Sequence, residues 1–181
     1  MIDADILLLA IVNMAEGVKN LIGDKGAKAV MRDAGKQAGP KLLESLIGHF
    51  PETLVVVLPT PVGPRSVITL KPSSGKFSTS FMFLLKPSIR DSMAKEEALR
   101  RSCIILEDLG FAKSIRMEGD KVIVEEDIFT DAIVGNDLIN SPVVYFFAGL
   151  IEGFVSFMSD QRVVLVPEEV QRGKIVYKYN G

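Results

Sequence analysis

The 181-residue chain has few of the side chains that usually carry chemistry: it holds one cysteine, one histidine and no tryptophan. A single cysteine cannot form a disulfide within the chain, which is typical of proteins from reducing compartments. One cysteine and one histidine also cannot supply the converging nitrogen and sulfur ligands of a structural zinc site. The sequence therefore predicts a cytoplasmic protein without a bound metal.

The chain also lacks a strong net charge, a basic leader and a long uncharged apolar run. The formal net charge of −2 gives no general attraction to the phosphates of nucleic acids. Asp3 and Asp5 stand where a secretory signal carries Lys or Arg. The longest apolar stretch, Val143 to Met158, contains Glu152 and is shorter than the ~20 apolar residues of a membrane span. We therefore expect no nucleic-acid partner and no membrane span.

The chain length predicts a single domain of residues 1–181. The N-terminal third of this domain has the pattern of two helices. The first covers residues 6–22 and ends at Gly23, since glycine accepts the left-handed conformation that follows many helices. The second runs from about residue 26 to 47 and is stopped by Gly48. Its predicted apolar face consists of Ala27, Val30, Met31, Ala34, Ala38 and Leu42.

The other side of the second helix carries four basic residues, Lys25, Lys28, Arg32 and Lys36. A solvated helix face is the ordinary role of such a row, and attraction of an anionic ligand or partner is the alternative. Glu152 is the single acid of an apolar helix further along the chain. It can orient a ligand or partner, or else face solvent or pair with a lysine.

The middle of the chain predicts strands at residues 53–58, 67–71 and 77–85. Proline-rich residues 59–64 are expected to form the loop between the first two strands. A helix at residues 92–109 follows. The predicted hairpins pair residues 112–117 with 122–126, and 163–166 with 175–179.

Ser141 and Pro142 form the best helix start in the chain, a hydroxyl N-cap followed by proline at the first helical position. The predicted helix of residues 142–158 has a broad apolar side and a narrow side of small residues. Helices grouped at the start of the chain and strands that are mainly antiparallel indicate an α+β fold, with an antiparallel sheet packed against a group of helices.

The reactive residue types have ordinary structural interpretations. Cys103 lies on the apolar stripe of its helix, which predicts a buried and unreactive thiol. His49 follows a helix end, where histidine often caps the last carbonyls. The acids at 125–127 and 168–169 stand at the ends of predicted strands among polar neighbours, so we expect their side chains to be exposed to solvent. An enzyme is therefore not our leading expectation.

Four segments, in this order, resemble the 4-vinyl reductase domain family: residues 26–39, 107–111, 141–149 and 164–169. The first matches the family's Gly-Ala and Ala-Gly-basic-x-Ala-Gly pattern, and the third its glycine helix. The resemblance covers the chain from about residue 20 to its end. Its structural glycines are Gly26, Gly35, Gly39, Gly149, Gly153 and Gly173.

The resemblance implies a fold similar to that of TRAPP trafficking-complex subunits, which form dimers, and a role in sensing small molecules or hydrocarbons. Many family members carry cysteines that are thought to hold zinc. The matching positions here are apolar or neutral: Val144, Val170 or Gln171, and Val176. The family zinc site is thus expected to be lost, and no cofactor is expected.

Together these observations predict a non-catalytic, homodimeric binding or sensing domain for a small apolar or weakly anionic ligand, with residues 1–22 contributing to the dimer and a protein partner receiving the signal. The ligand would lie between the sheet and the 142–158 helix, oriented by Glu152 or a basic residue. The same aromatic residues could equally form plain core. The expected lining is Phe81, Phe83, Phe111, Phe146, Phe154 and Phe157.

The alternative is a scaffold or assembly protein without a ligand. The pairs Gly35-x-x-x-Gly39 and Gly149-x-x-x-Gly153 permit close contact between helices, within one subunit or between two.

Overall fold

A computed structural model describes residues 4–49, 53–60, 63–70, 84–85, 94–133 and 137–180, with side chains described for 8–44, 94–133 and 137–180. The predicted α+β class is confirmed by helices that pack with an antiparallel four-stranded sheet. The helices are α1 (Ala4–His49), α2 (Lys95–Asp108), α3 (Ile128–Ala132) and α4 (Pro142–Ser159), with a 3-10 turn at Leu138–Asn140. The strands are β1 (Thr53–Thr60), β2 (Gly63–Leu70), β3 (Leu84–Leu85), β4 (Ala112–Glu118), β5 (Lys121–Asp127), β6 (Val164–Gln171) and β7 (Lys174–Asn180).

The strands form two antiparallel sheets, ordered β1-β2-β3 and β4-β5-β7-β6. The expected loop at residues 59–64 is wrong in part, because the β1–β2 pairing continues to Thr60 opposite Gly63. Pro59 and Pro64 face each other in this ladder, and proline is tolerated in a strand wherever its missing N–H is not required. The predicted strand at 77–85 lies outside the described residues except for Leu84 and Leu85.

Helix α1 is broken at Gly23, whose φ of 79° and ψ of 169° are not helical. The positive φ expected at Gly23 is therefore confirmed, but its ψ is extended and not that of a left-handed helical cap, and the chain resumes a helix immediately instead of passing through a loop. The bend folds α1 back on itself, so that Leu8 of the first half lines the same pocket as Leu42 of the second. The second half continues through Gly48, which was expected to stop it. A glycine costs only about 1 kcal/mol in a helix interior, so it does not compel an end.

The buried stripe of the second half of α1 repeats every fourth residue and includes two glycines: Ala27, Met31, Gly35, Gly39 and Leu43 are buried. The expected apolar face is wrong at Val30 and Ala34, which are exposed. The helix is turned so that its glycines face α4, because only there can the two backbones touch. Val30 and Ala34 consequently point away from the core.

Helix α4 begins at Pro142 as predicted, and it forms the centre of the core. Phe147, Ile151 and Phe154 are fully buried on it. Ser141 stands at the N-cap position, but its hydroxyl does not cap the helix. It donates to Oε1 of Glu16, 3.2 Å away on α1, and so joins the two helices.

Cys103 on α2 is 2% exposed, and burial raises the pKa of its thiol to about 12. The thiol therefore stays protonated at neutral pH, and the predicted buried cysteine lacks the thiolate that nucleophilic catalysis requires.

Asp127 contradicts the interpretation of the 125–127 acids as solvated surface, since it is 1% exposed. Its Oδ1 accepts the N–H groups of Phe129 (2.9 Å) and Thr130 (2.7 Å), and thereby caps α3. Burial raises the pKa of this carboxyl above its ordinary value, although its hydrogen bonds oppose that effect. The Thr130 hydroxyl donates to Asp127 and accepts the N–H of Gly173, in the β6–β7 turn where Gly173 has φ 72°. The acid is thus a structural link between α3 and the last hairpin.

Candidate ligand pockets beside the crossing of α1 and α4

Helices α1 and α4 cross backbone against backbone, and both present glycine at the crossing. A Cβ added to Gly153 would lie 2.5 Å from the carbonyl oxygen of Lys36. Side chains added to Gly35 or Gly149 would lie closer still to backbone atoms of the other helix, and one on Gly39 would also be too close. Four of the six glycines in the family resemblance therefore make one intramolecular contact, which any side chain would prevent.

The crossing separates two concave surfaces. On one side, Ala38 and Leu42 of α1 face an apolar pocket. On the other, Lys36 and Pro40 of α1 face a polar pocket beside Glu152. Because the helices touch through their backbones between these surfaces, we treat the two pockets as separate sites.

The apolar pocket has a volume of about 340 Å³ and is partly open to solvent. Its wall is formed by both halves of α1, by α3 and α4, and by Phe111, the residue before β4. All nine side chains that line it, among the described residues, are apolar: Leu8, Ile11, Ala38, Leu42, Phe111, Ile128, Phe129, Phe146 and Leu150.

Aromatic rings make up one wall of this apolar pocket. The Phe129 ring centroid lies 6.0 Å from that of Phe146 in an edge-to-face arrangement and 6.0 Å from that of Phe111. Phe147, fully buried behind them, lies 5.4 Å from Phe129. Such contacts contribute about 0.5–1.5 kcal/mol each beyond area burial, so this wall is held in place by its own packing.

The aromatic residues expected to line a ligand site are distributed over several locations. Phe111 and Phe146 both line the apolar pocket. Phe154 is fully buried and packs against Gly39 at the helix crossing. Phe157 is half-buried on α4 and lines neither the apolar nor the polar pocket. Phe81 and Phe83 lie outside the described residues.

Most of the residues that line the apolar pocket carry no sequence signal for a shared site. Leu8 and Ile11 have the spacing of one helix face, which predicts burial but no partner. They reach the pocket only because the chain reverses direction at Gly23. Ile128 and Phe129 belong to the five-residue α3, which has too few residues to show an apolar period.

Glu152 is enclosed on the other side of the crossing, with its side chain 2% exposed. Its Oε1 accepts the Leu165 N–H at 2.8 Å and lies 3.4 Å from Nη2 of Arg32, which also donates to the Leu165 carbonyl. Its Oε2 lies 3.0 Å from Nζ of Lys36, at ion-pair distance, but receives no hydrogen bond from the described residues. Of the interpretations left open for this acid, the structure thus shows a lysine-paired carboxylate.

The basic row on α1 is only partly a solvated face. Lys25 is exposed, while Lys28 lies 2.7 Å from Oδ2 of Asp24 and donates to Asn140 at 2.6 Å. The hydrogen bond from Lys28 holds the pKa of Asp24 below its ordinary value. Nζ of Lys28 also lies 5.2 Å from the centre of the Tyr145 ring, a cation–π distance. The row therefore joins α1 to α4 electrostatically.

Within the described part of the chain, no three His, Cys, Asp or Glu side chains converge as metal ligands do. Of the helices described, α4 alone is long and apolar enough to cross a membrane by length and composition. Inside the protein 78% of it is buried, which is also the property of a core helix.

Comparison with known proteins adds no relative: no protein-family model matches the chain, and no curated protein matches it. The geometry of the pockets is therefore the main basis for assigning a function.

Proposed function

We propose that this protein is a non-catalytic domain that binds a small apolar molecule in the pocket lined by Phe111, Phe129 and Phe146. One observation carries the proposal: a concave surface of about 340 Å³ lined, among the described residues, by apolar side chains alone. This volume falls in the range of roughly 300–1,000 Å³ that small-molecule sites occupy.

The energetics favour occupancy by an apolar ligand. Each Å² of apolar surface removed from water contributes roughly 25 cal/mol, and both ligand and pocket wall would lose such surface. A charged ligand would gain no compensating polar contact from these nine side chains, and its burial would be unfavourable. The resemblance to 4-vinyl reductase domains agrees with a hydrocarbon-type ligand, and a sensor of this form would pass its signal to a protein partner.

Filling the pocket should abolish binding without unfolding the protein. Ala38 is half-buried at the pocket wall, so Ala38→Leu places three more carbons inside it. The neutral fluorophore N-phenyl-1-naphthylamine is a suitable probe. At a probe concentration about 100 times its Kd, the free energy of unfolding of wild type should increase by about 2.7 kcal/mol. This increase raises Tm by roughly 5–10 °C. Ala38→Leu should show neither the shift nor the fluorescence increase.

Ala34→Leu provides the matched control, because residue 34 lies on the same helix but is exposed. It should bind the probe as wild type does. Equal binding by wild type, Ala38→Leu and Ala34→Leu would show that the probe occupies another place, and absence of any binding would refute the proposed function.

We further propose that two copies associate through the first half of α1. This half exposes an apolar stripe with the 4-3-4 spacing of a helix–helix seam: Ala10, Met14, Gly17 and Leu21. Leu21 is 85% exposed and Met14 58%. The glycine pairs of α1 and α4 are used inside the chain and are not available for this contact.

The occupant we assign to the stripe is a second, antiparallel copy, because the 4-3-4 pattern is symmetric about the point midway between Met14 and Gly17. A twofold axis there places Met14 of one copy near Gly17 of the other and Ala10 near Leu21, so that a large side chain meets a small residue in each case.

Leu21→Glu should weaken this dimer at least about tenfold, which corresponds to 1.4 kcal/mol, because it places a charge in the seam. Sedimentation equilibrium measures the dissociation constant directly. Val30→Glu is the control, since Val30 is a 48% exposed apolar residue on the second half of α1. A monomeric wild type, or equal effects of the two substitutions, would contradict this assignment.

A further inference from the structure

The polar pocket on the Glu152 side of the crossing has a volume of about 380 Å³ and lies between α1, α4 and the start of β6. Lys36 and Pro40 border it from α1, Ser156 from α4, Arg162 from the connection between α4 and β6, and Val164 from the start of β6. It is therefore built from three separate parts of the chain, in contrast to a row of charges along one helix.

The charges at this pocket do not balance. Glu152 is the only acid among the described residues that line it, and two cations, Arg32 and Lys36, already lie within 3.4 Å of the Glu152 carboxylate. Arg162 adds a third positive charge and makes neither a hydrogen bond nor an ion pair with the described residues. The group formed by these four side chains therefore carries a net charge of about +2, which attracts an anion into the concave surface.

The orientation of Lys36 is fixed by the buried acid. Oε1 of Glu152 is occupied by the Leu165 N–H and by Arg32, while Oε2 holds the Lys36 ammonium at 3.0 Å. This pairing places the ammonium at the pocket wall. The same Oε2 is buried and receives no hydrogen bond from the described residues, so the Lys36 ammonium is its charged partner.

We infer that this pocket binds a small organic carboxylate, with Arg162 and Lys36 as the anion-binding groups. A guanidinium donates two parallel hydrogen bonds to a carboxylate, and an ammonium supplies a third charge-assisted bond. Pro40, Val163 and Val164 give the pocket an apolar wall for the organic part of the ligand. A bare inorganic anion would leave that wall in contact with water.

This site is independent of the apolar pocket, because the backbone contact between α1 and α4 lies between them. Binding of a ligand here does not depend on the proposed function.

Mandelate is a suitable probe, since it combines a carboxylate, a hydroxyl and an apolar ring. We expect a saturable shift of backbone amide resonances around Arg162 and Val164 when mandelate is titrated into the protein and followed by NMR. Arg162→Gln should weaken mandelate binding by about tenfold or more, and the uncharged methyl mandelate should bind far more weakly than mandelate.

Arg172→Gln is the matched control, because Arg172 is also exposed and the substitution removes the same charge away from the pocket, in the turn between β6 and β7. It should bind mandelate as wild type does. Arg162→Gln should still bind N-phenyl-1-naphthylamine, which separates this test from that of the apolar pocket.

Three results would overturn the inference. They are no saturable shift with mandelate, equal affinity of the ester and the acid, and equal affinity of Arg162→Gln and Arg172→Gln. Inorganic phosphate binding more tightly than mandelate would also contradict it, since the apolar wall would then contribute nothing.

Discussion

Gly149→Ala is expected to lower the free energy of unfolding by about 3 kcal/mol, at the upper end of the usual cost of overpacking. The new Cβ would collide with the backbone carbonyl of Arg32, and no rotamer change can move a carbonyl away. The two helices would have to separate, which would disturb both pockets beside the crossing. Urea unfolding followed by far-UV circular dichroism measures the effect.

Gly17→Ala is the control for this substitution. Gly17 is also helical, but a Cβ added there would have no heavy atom within 4 Å. Alanine is a better helix former than glycine by about 1 kcal/mol, so this variant should be as stable as wild type or more so. If Gly149→Ala and Gly17→Ala had the same urea midpoint, α1 and α4 would not cross as described.

Glu152→Ala should lower the free energy of unfolding by about 3 kcal/mol. Removing one partner of a fully buried ion pair costs about 3–5 kcal/mol, and the lower value applies here because side chains of Arg32 and Lys36 remain 23% and 42% exposed. The Leu165 N–H would also lose its acceptor. Glu152→Gln keeps an oxygen for that N–H, so we expect a smaller loss of about 1–2 kcal/mol.

Glu168→Ala serves as the matched control in the same urea experiment. Glu168 is an exposed acid on β6 whose partner, Lys121, lies 2.9 Å away at the surface. Exposed pairs of this kind contribute at most about 1 kcal/mol, so the variant should lose little stability. A Glu152→Ala protein as stable as Glu168→Ala would show that the buried acid does not hold the two helices together.

The glycine crossing shows why the fold class followed from the sequence while the orientation of α1 did not. Hydrophobic spacing assigned Val30 and Ala34 to the buried face, because hydropathy gives glycine no preference for the core. The contact is instead made by Gly35 and Gly39, whose missing side chains are the reason for burial. Close approach of backbones, and not apolar area, decides which side of this helix faces inward.

The elements with local signals were predicted well. Pro142 predicted the start of α4, and Gly23 has the predicted positive φ. The resumption of a helix at Asp24 has no comparable local signal, since it depends on contacts made by both halves of α1 with the rest of the core.

The candidate sites depend on contacts between residues far apart in the chain. Glu152 and Lys36 are both visible in the sequence as unusual charges, yet more than a hundred residues separate them, and no spacing rule pairs them. The burial of Asp127 could likewise not be predicted, because its polar neighbours in the sequence indicated a solvent-exposed position. Phe111 and Phe146 were identified as candidate ligand contacts, but their aliphatic partners from α1 required the fold.

The central claim, that the apolar pocket holds a small molecule, is tested most directly by native mass spectrometry of protein purified without detergent or denaturant. We predict that wild type carries a non-covalently retained apolar compound, released on unfolding, and that Ala38→Leu has only the mass of the chain. Wild type and Ala38→Leu with identical spectra, whether both carry the compound or neither does, would contradict the account.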